Sequence, residues 1–135
     1  MRTANIGIIG GSGLYNIDGL TELEEISITT PFGSPSDKIT IGRIGAEHVA
    51  FLPRHGKSHT INPSEVPSKA NIYALKSIGV KQIISVSAVG SLDIKIKPQD
   101  MIIPNQLIDR TKGRPSTFFE KGIVAHVGMA EPFCP

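Results

Sequence analysis

A short apolar segment that runs directly into a glycine cluster constrains the fold of this chain more than any other feature. Residues 5–9 are β-branched and nearly all apolar, which predicts a buried strand. Glycines follow at positions 10, 11 and 13 and allow positive φ, so that successive amides can point at one ligand. Ser12 adds a neutral hydroxyl donor. The segment indicates a strand followed by an oxyanion-binding loop, although a plain Gly-rich turn fits it equally well.

A second group of donors follows the strand predicted at residues 48–52. Arg54 offers a planar fork for two phosphate oxygens, and His55 offers one further donor. The ordinary alternatives are a surface ion pair for Arg54 and a loop histidine with satisfied hydrogen bonds for His55. His55 and His59 are four residues apart, as in helical zinc sites. Gly56 and the flanking prolines argue against a helix, and no zincin-type glutamate intervenes, so we expect no metal here.

A third group closes the buried strand predicted at residues 81–86. Small residues follow it, which leaves room for a planar ring or a sugar against the backbone, and Ser87 can donate to an anion. A tight exit from the strand is an equally ordinary interpretation. Loops of this kind gather at the carboxyl ends of strands in α/β sheets, where Ser12, Arg54 and Ser87 are all predicted to lie.

Other phosphate and nucleophile motifs do not fit the sequence. A dinucleotide fold requires G-x-G-x-x-G, and the third glycine is missing after Gly13. A P-loop requires a lysine after its glycines, and none follows these. The G-x-S-x-G turn of serine hydrolases is also absent from the sequence.

The remaining pattern predicts an α/β or mixed-sheet fold. A hairpin is expected between strands at residues 38–44 and 48–52, because Gly45-Ala46-Glu47 separates them. A helix is expected at residues 67–78, with a proline in its first turn, an apolar stripe at positions 70, 73, 74 and 78, and Gly79 as its stop. Further strands are predicted at residues 24–29 and 100–104.

Composition narrows the class of protein. The 135 residues suit one domain, and 39% hydrophobic with 19% charged residues is globular. The sequence contains no apolar stretch long enough to cross a bilayer and no signal peptide is expected. Cys134 is the single cysteine, which favours a reducing cytoplasm over a disulfide framework. A net charge of +2 is too small to indicate a nucleic-acid or membrane partner.

Six segments, taken in order, carry a family resemblance: IGIIGGSGL at 6–14, TPFGSPSD at 30–37, RHG at 54–56, ANIYALK at 70–76, IDRT at 108–111 and MAEPFCP at 129–135. Together they resemble the purine nucleoside phosphorylase family, in its methylthioadenosine phosphorylase branch. The resemblance implies a three-layer α/β fold with a central mixed β-sheet flanked by helices. It also implies that residues 1–135 form a single domain, the N-terminal part of a nucleoside phosphorylase domain.

The same resemblance implies the roles of individual residues. His126 is expected to reach into the site of a neighbouring subunit, which implies a homotrimer; the ordinary alternative for His126 is a surface loop residue. The phosphate-binding residues implied are Ser12, Arg54, His55, Ser87 and Ala88, and the nucleoside-binding residues are Ala88, Val89, Gly90 and His126.

The activity implied is phosphate-dependent cleavage of 5'-methylthioadenosine to adenine and 5-methylthioribose 1-phosphate, with inorganic phosphate as co-substrate and no cofactor or metal. Members of the family continue well past the length of this chain. The chain is therefore expected to be truncated, and the acid that protonates the purine is expected in the missing half, with no catalytic residue in residues 1–135. Phosphorolysis of another purine nucleoside such as methylthioinosine, or binding of an anion or nucleotide without catalysis, remain the alternatives.

Overall fold

The computed structural model describes residues 3–11 and 19–133, so Ser12 and Cys134 lie outside the described residues. Two compact units are present, Met1–Ser87 and Ala88–Pro135. All helices and strands of the described residues lie in the first unit. They are β1 Ile6–Gly10, β2 Thr21–Ile26, β3 Ile39–Ile44, β4 Glu47–Pro53, α1 Ser68–Ser77 and β5 Gln82–Ser85. The expectation of a single domain stays a prediction.

The five strands form one mixed sheet in the order β2-β3-β4-β1-β5. The pairs β2–β3 and β3–β4 are antiparallel, whereas β1 is parallel to both β4 and β5. In register, Gly10 lies opposite Pro53 and Ile9 lies opposite Ser85. The carboxyl ends of three neighbouring parallel strands therefore meet at one edge of the sheet, which confirms the mixed sheet and sets the place of the site.

The strands β1, β3 and β4 confirm the predictions made for them. In the hairpin, Ile44 pairs with Glu47, so Gly45 and Ala46 form a two-residue turn. Gly45 has a φ of 60°, which is a conformation that glycine adopts without steric cost. The strand predicted at residues 24–29 forms earlier than expected, as β2.

Helix α1 confirms the predicted helix and its stop. Gly79 has a φ of 95° and donates its amide to the Lys76 carbonyl, while the Val80 amide bonds the Leu75 carbonyl. This is the Schellman arrangement that ends a helix at a glycine.

The predicted apolar stripe of α1 was wrong at one position. Tyr73 is 41% exposed and meets the ring of Phe32 edge to face, with centroids 5.7 Å apart. Asn71 and Leu75 are buried instead. At 100° per residue these two positions move the centre of the buried face away from Tyr73.

The core lies between α1 and the sheet. Leu75 comes close to β1, because a Cβ added at Gly7 would lie 3.4 Å from both of its methyl groups. The same Cβ would lie only 3.0 Å from Val80 Cγ1, and this tighter contact favours glycine at position 7. The buried hydrophobic cluster consists of Ala4, Ile9, Ile26, Ile39, Ile41, Ala50, Leu52, Ala74, Leu75, Ile78 and Val80.

Two strand predictions need correction. Strand β5 forms, but all four of its residues are exposed rather than buried; within the described residues it is an outermost strand of the sheet. The strand predicted at residues 100–104 is absent, and residues 88–133 contain no helix or strand. A strand needs a neighbour to satisfy its backbone groups, and this segment has none among the described residues.

The second unit is held by turns and a few longer hydrogen bonds. The Asp93 carboxylate accepts the Lys95 amide, and Gln106 Nε2 donates to the Ala130 carbonyl at 3.0 Å. Its apolar side chains are largely exposed, with Leu92 and Ile94 almost fully so. In the part of the chain that the structure describes, no helix is long and apolar enough to cross a membrane.

Candidate functional site

The peptide unit between Pro53 and Arg54 is held on both sides at the edge of the sheet. On one side the Arg54 amide donates to the Gly10 carbonyl at 2.9 Å, which ties it to the end of β1. On the other side the Pro53 carbonyl accepts the Ser36 hydroxyl at 2.6 Å and the Gly56 amide at 3.3 Å. Because a peptide unit is planar and rigid, these bonds fix the direction in which the chain delivers Arg54.

The Arg54 guanidinium crosses from the end of β4 to the residues that follow β5. Its Nη1 donates to Ser87 Oγ at 2.6 Å and reaches the Val86 carbonyl at 3.5 Å. Among the described residues no carboxylate forms an ion pair with Arg54; the ion pairs that form are Arg43–Glu22 and Lys57–Glu25. The alternative of a surface ion pair for Arg54 therefore finds no support in the described part of the chain.

The His55 ring supports Arg54 from the opposite side. Its Nδ1 lies 2.8 Å from the Ile61 carbonyl, which only accepts, so Nδ1 carries the hydrogen and donates. Its Nε2 accepts the Arg54 Nε–H at 3.2 Å. In this arrangement Nδ1 is the donor nitrogen and Nε2 is the acceptor nitrogen. The ring thus orients Arg54 and, in this conformation, presents no outward N–H.

The Ser87 hydroxyl gains a donor role from this contact. Since its oxygen accepts from Arg54, its own O–H is available to donate to another group. A guanidinium and a hydroxyl that converge at the carboxyl ends of parallel strands form a suitable site for a tetrahedral oxyanion. The structure brings Arg54, His55 and Ser87 together as the sequence predicted.

The loop after Arg54 is held by contacts with Asp37 and with strand β2. Gly56 has a φ of 74°, a backbone conformation that favours glycine, and a Cβ there would lie in ordinary contact, 3.4 Å from the Ser36 carbonyl oxygen. The Lys57 amide donates to the Asp37 carboxylate at 2.7 Å. The Lys57 ammonium pairs with Glu25 on β2. This hydrogen bond and charge lower the pKa of Glu25 and raise the pKa of Lys57, and both groups are exposed to solvent.

The geometry around Arg54 does not test the other predicted site residues, which stay predictions. Ser12 lies outside the described residues. The residues Ala88, Val89, Gly90 and His126 belong to the second unit, where all four are exposed.

The histidine pair considered as a metal site forms only a ring contact. The rings of His55 and His59 have centroids 4.9 Å apart. The described residues contain no group of three or more His, Cys, Asp or Glu side chains that could hold a metal ion.

Two residues of the site were missed by the sequence analysis, Ser36 and Asn71. Asn71 lies on the buried face of α1, and its Oδ1 accepts the Ser36 amide at 2.8 Å. A polar residue among the apolar positions 70, 74 and 75 of the predicted helix is the signal that could have found this contact.

The family model described as the phosphorylase superfamily matches residues 5–135, nearly the whole chain. The chain belongs to the phosphorylase superfamily. The predicted membership of a nucleoside phosphorylase family is thereby confirmed.

Two curated relatives of this phosphorylase-superfamily chain are both named S-methyl-5'-thioadenosine phosphorylase. That of Chloroflexus aurantiacus is 59% identical over 136 residues, covering 100% of this chain and 47% of the relative. That of Thermosynechococcus vestitus is 57% identical over 133 residues, covering 98% of this chain and 46% of the relative. The chain therefore spans about half the length of the curated relatives it matches.

Solved structures agree with this relationship. A methylthioadenosine phosphorylase sourced from an antarctic soil metagenomic library superposes with a TM-score of 0.95 at 58% identity, covering 100% of this chain and 47% of that one. Methylthioadenosine phosphorylase from Schistosoma mansoni in complex with adenine gives a TM-score of 0.88 at 42% identity, covering 98% of this chain and 50% of that one. These superpositions confirm the predicted nucleoside-phosphorylase-like α/β fold.

Proposed function

We propose that this chain forms the phosphate-binding part of an S-methyl-5'-thioadenosine phosphorylase. The reaction is cleavage of 5'-methylthioadenosine by inorganic phosphate to adenine and 5-methylthioribose 1-phosphate, a step of purine and methionine salvage. The observation that carries the proposal is the contact of Arg54 with Ser87 and His55 at the carboxyl ends of β4 and β5. The names of relatives that are 57% and 59% identical support the choice of substrate.

Phosphate is the nucleophile in this reaction. One of its oxygens forms a bond to the anomeric carbon of the ribose, on the face opposite the purine, while the bond from that carbon to the purine nitrogen breaks. The bonding electrons leave with the purine, which takes up a proton to become neutral adenine. The ribose becomes oxocarbenium-like on the way, and the phosphate dianion beneath it stabilises that positive charge.

The residues of this chain contribute by holding phosphate in position. The Arg54 fork and the Ser87 hydroxyl donate to phosphate oxygens, His55 acts by orienting Arg54, and Ser12 and Ala88 complete the set. Because the nucleophile is supplied by the solution, this chemistry requires placement and charge rather than a pair of carboxylates. The proposal includes no metal and no cofactor besides phosphate.

The remainder of the reaction is assigned to other groups. We propose that Ala88, Val89, Gly90 and His126 line the nucleoside site, with His126 contributed to a neighbouring subunit of a homotrimer. The acid that protonates the purine is proposed to lie outside residues 1–135. The location proposed is the cytoplasm.

The homotrimer has its own test, in a full-length protein, meaning one of the relatives' length that contains this segment. Sedimentation velocity is expected to give a trimer at assay concentration. His126→Ala is expected to lower activity in that trimer, because each site then loses a group from its neighbour. An active monomer would contradict the assembly proposed.

The proposed reaction is tested by adenine release in the same full-length protein. The rate is expected to rise with phosphate concentration to saturation, and the sugar product is expected to be a 1-phosphate by ³¹P NMR. Adenine release at an unchanged rate without phosphate, with free methylthioribose as product, would indicate a hydrolase instead. Comparison with methylthioinosine under the same conditions tests the alternative base.

A further inference from the structure

Ser36 and Asn71 form a buried polar pair beside the peptide unit between Pro53 and Arg54. The role proposed for this pair rests on the proposed function and extends it. Ser36 and Asn71 are among the few buried polar residues described, at 8% and 2% exposed. Burying polar groups is costly unless they are hydrogen-bonded. We propose that Ser36, held by Asn71, is a positioning residue that sets the orientation of Arg54 for phosphate.

Helix α1 holds Ser36 in position through Asn71. The residues next to Ser36 form no regular strand or helix. The Ser36 amide instead donates to Asn71 Oδ1 at 2.8 Å. Asn71 is fixed in turn by its place on the inward face of α1. The helix thus determines where the Ser36 side chain can reach.

Ser36 in turn binds the peptide unit that precedes the Arg54 side chain. Its hydroxyl donates to the Pro53 carbonyl at 2.6 Å. That carbonyl shares a peptide plane with the Arg54 amide, whose N–H is bound by the Gly10 carbonyl at 2.9 Å. Since the plane is rigid, hydrogen bonds on its two opposite edges restrict the direction in which the chain continues into Arg54. Neither Ser36 nor Asn71 contacts Arg54 itself in the described contacts.

The held peptide plane keeps the Arg54 guanidinium oriented for a ligand. From this direction Arg54 Nη1 reaches Ser87 Oγ at 2.6 Å, and His55 Nε2 accepts the Arg54 Nε–H at 3.2 Å. A preorganised guanidinium binds an oxyanion without first losing alternative orientations. Loss of the Ser36 hydroxyl leaves the Pro53 carbonyl with the longer 3.3 Å bond from Gly56. The peptide plane can then tilt, and phosphate affinity falls.

The test is a comparison of Michaelis constants in the full-length enzyme. Ser36→Ala is expected to raise KM for phosphate by about 3- to 10-fold, the range of one ordinary hydrogen bond. KM for the nucleoside is expected to stay within about twofold, because the variant acts through Arg54 alone. Ser36→Thr, which keeps the hydroxyl, is expected to restore KM for phosphate. The exposed Ser34→Ala is the matched control and is expected to change neither constant.

The outcomes separate this proposal from the function on which it rests. If Ser36→Ala leaves KM for phosphate unchanged, or raises both constants equally, the positioning role is wrong. If Arg54→Ala also has no effect on phosphate, the phosphate site itself is wrong; if only Arg54→Ala has an effect, the proposed function stands without Ser36. Should Ser36→Ala fail to fold, Ser36→Cys keeps the side-chain size with a weak donor and is judged by the same two constants.

Discussion

Arg54→Ala in the full-length enzyme is expected to lower kcat/KM for phosphate by about 30- to 1,000-fold, equivalent to ~2–4 kcal/mol. The guanidinium is the charged group of the cluster, and the structure pairs it with Ser87 and His55 rather than with a carboxylate among the described residues. Its alanine variant loses a charge-assisted, preoriented contact with the nucleophile. Steady-state kinetics at varied phosphate and saturating nucleoside measure the loss.

Two comparison variants make this result specific. Arg54→Lys keeps the charge but not the planar fork, so it is expected to recover only part of the rate. Arg43→Ala removes an exposed arginine of β3 that pairs with Glu22 at 3.1 Å, and kcat/KM for phosphate is expected to be unchanged. A wild-type rate and phosphate affinity in Arg54→Ala would show that phosphate binds elsewhere.

Leu75→Ala is expected to lower the free energy of unfolding by about 2–5 kcal/mol. Leu75 is fully buried between α1 and the sheet, and its methyl groups lie against the backbone at Gly7. Truncation leaves a cavity that the close packing of strand and helix cannot fill by relaxation.

Urea denaturation followed by circular dichroism measures this loss. The matched control is Ile72→Ala on the same helix, whose side chain is 37% exposed, and a smaller loss is expected there. Equal losses in the two variants would contradict the assignment of the buried face of α1.

Local signals predicted the elements of the first unit well. The hairpin, the helix and its stop depend on residues close in sequence, such as Gly45 and Gly79, whose positive φ values the structure confirms. The contact of Arg54 with Ser87 could also be predicted, because parallel strands bring their carboxyl ends to one edge.

Features that depend on distant neighbours could not be predicted. Apolar composition indicated a buried strand at residues 81–86, yet β5 is exposed because burial depends on what packs beside it. The strand expected at residues 100–104 needed a pairing partner that a single-sequence pattern does not reveal. Ser36 was missed because its role depends on Asn71, 35 residues away, and on a backbone carbonyl.

The proposed phosphate site is tested most directly by crystals of the full-length protein soaked with arsenate, whose arsenic atom scatters anomalously and whose oxygens match those of phosphate in geometry and charge. We predict an arsenic peak whose oxygens accept hydrogen bonds from the Arg54 guanidinium and the Ser87 hydroxyl, with Pro53 O still bound by Ser36. Arg54→Ala crystals soaked at the same concentration are expected to show a weaker peak or none. An arsenic peak bound away from Arg54, or one of equal height in the Arg54→Ala crystals, would contradict the site.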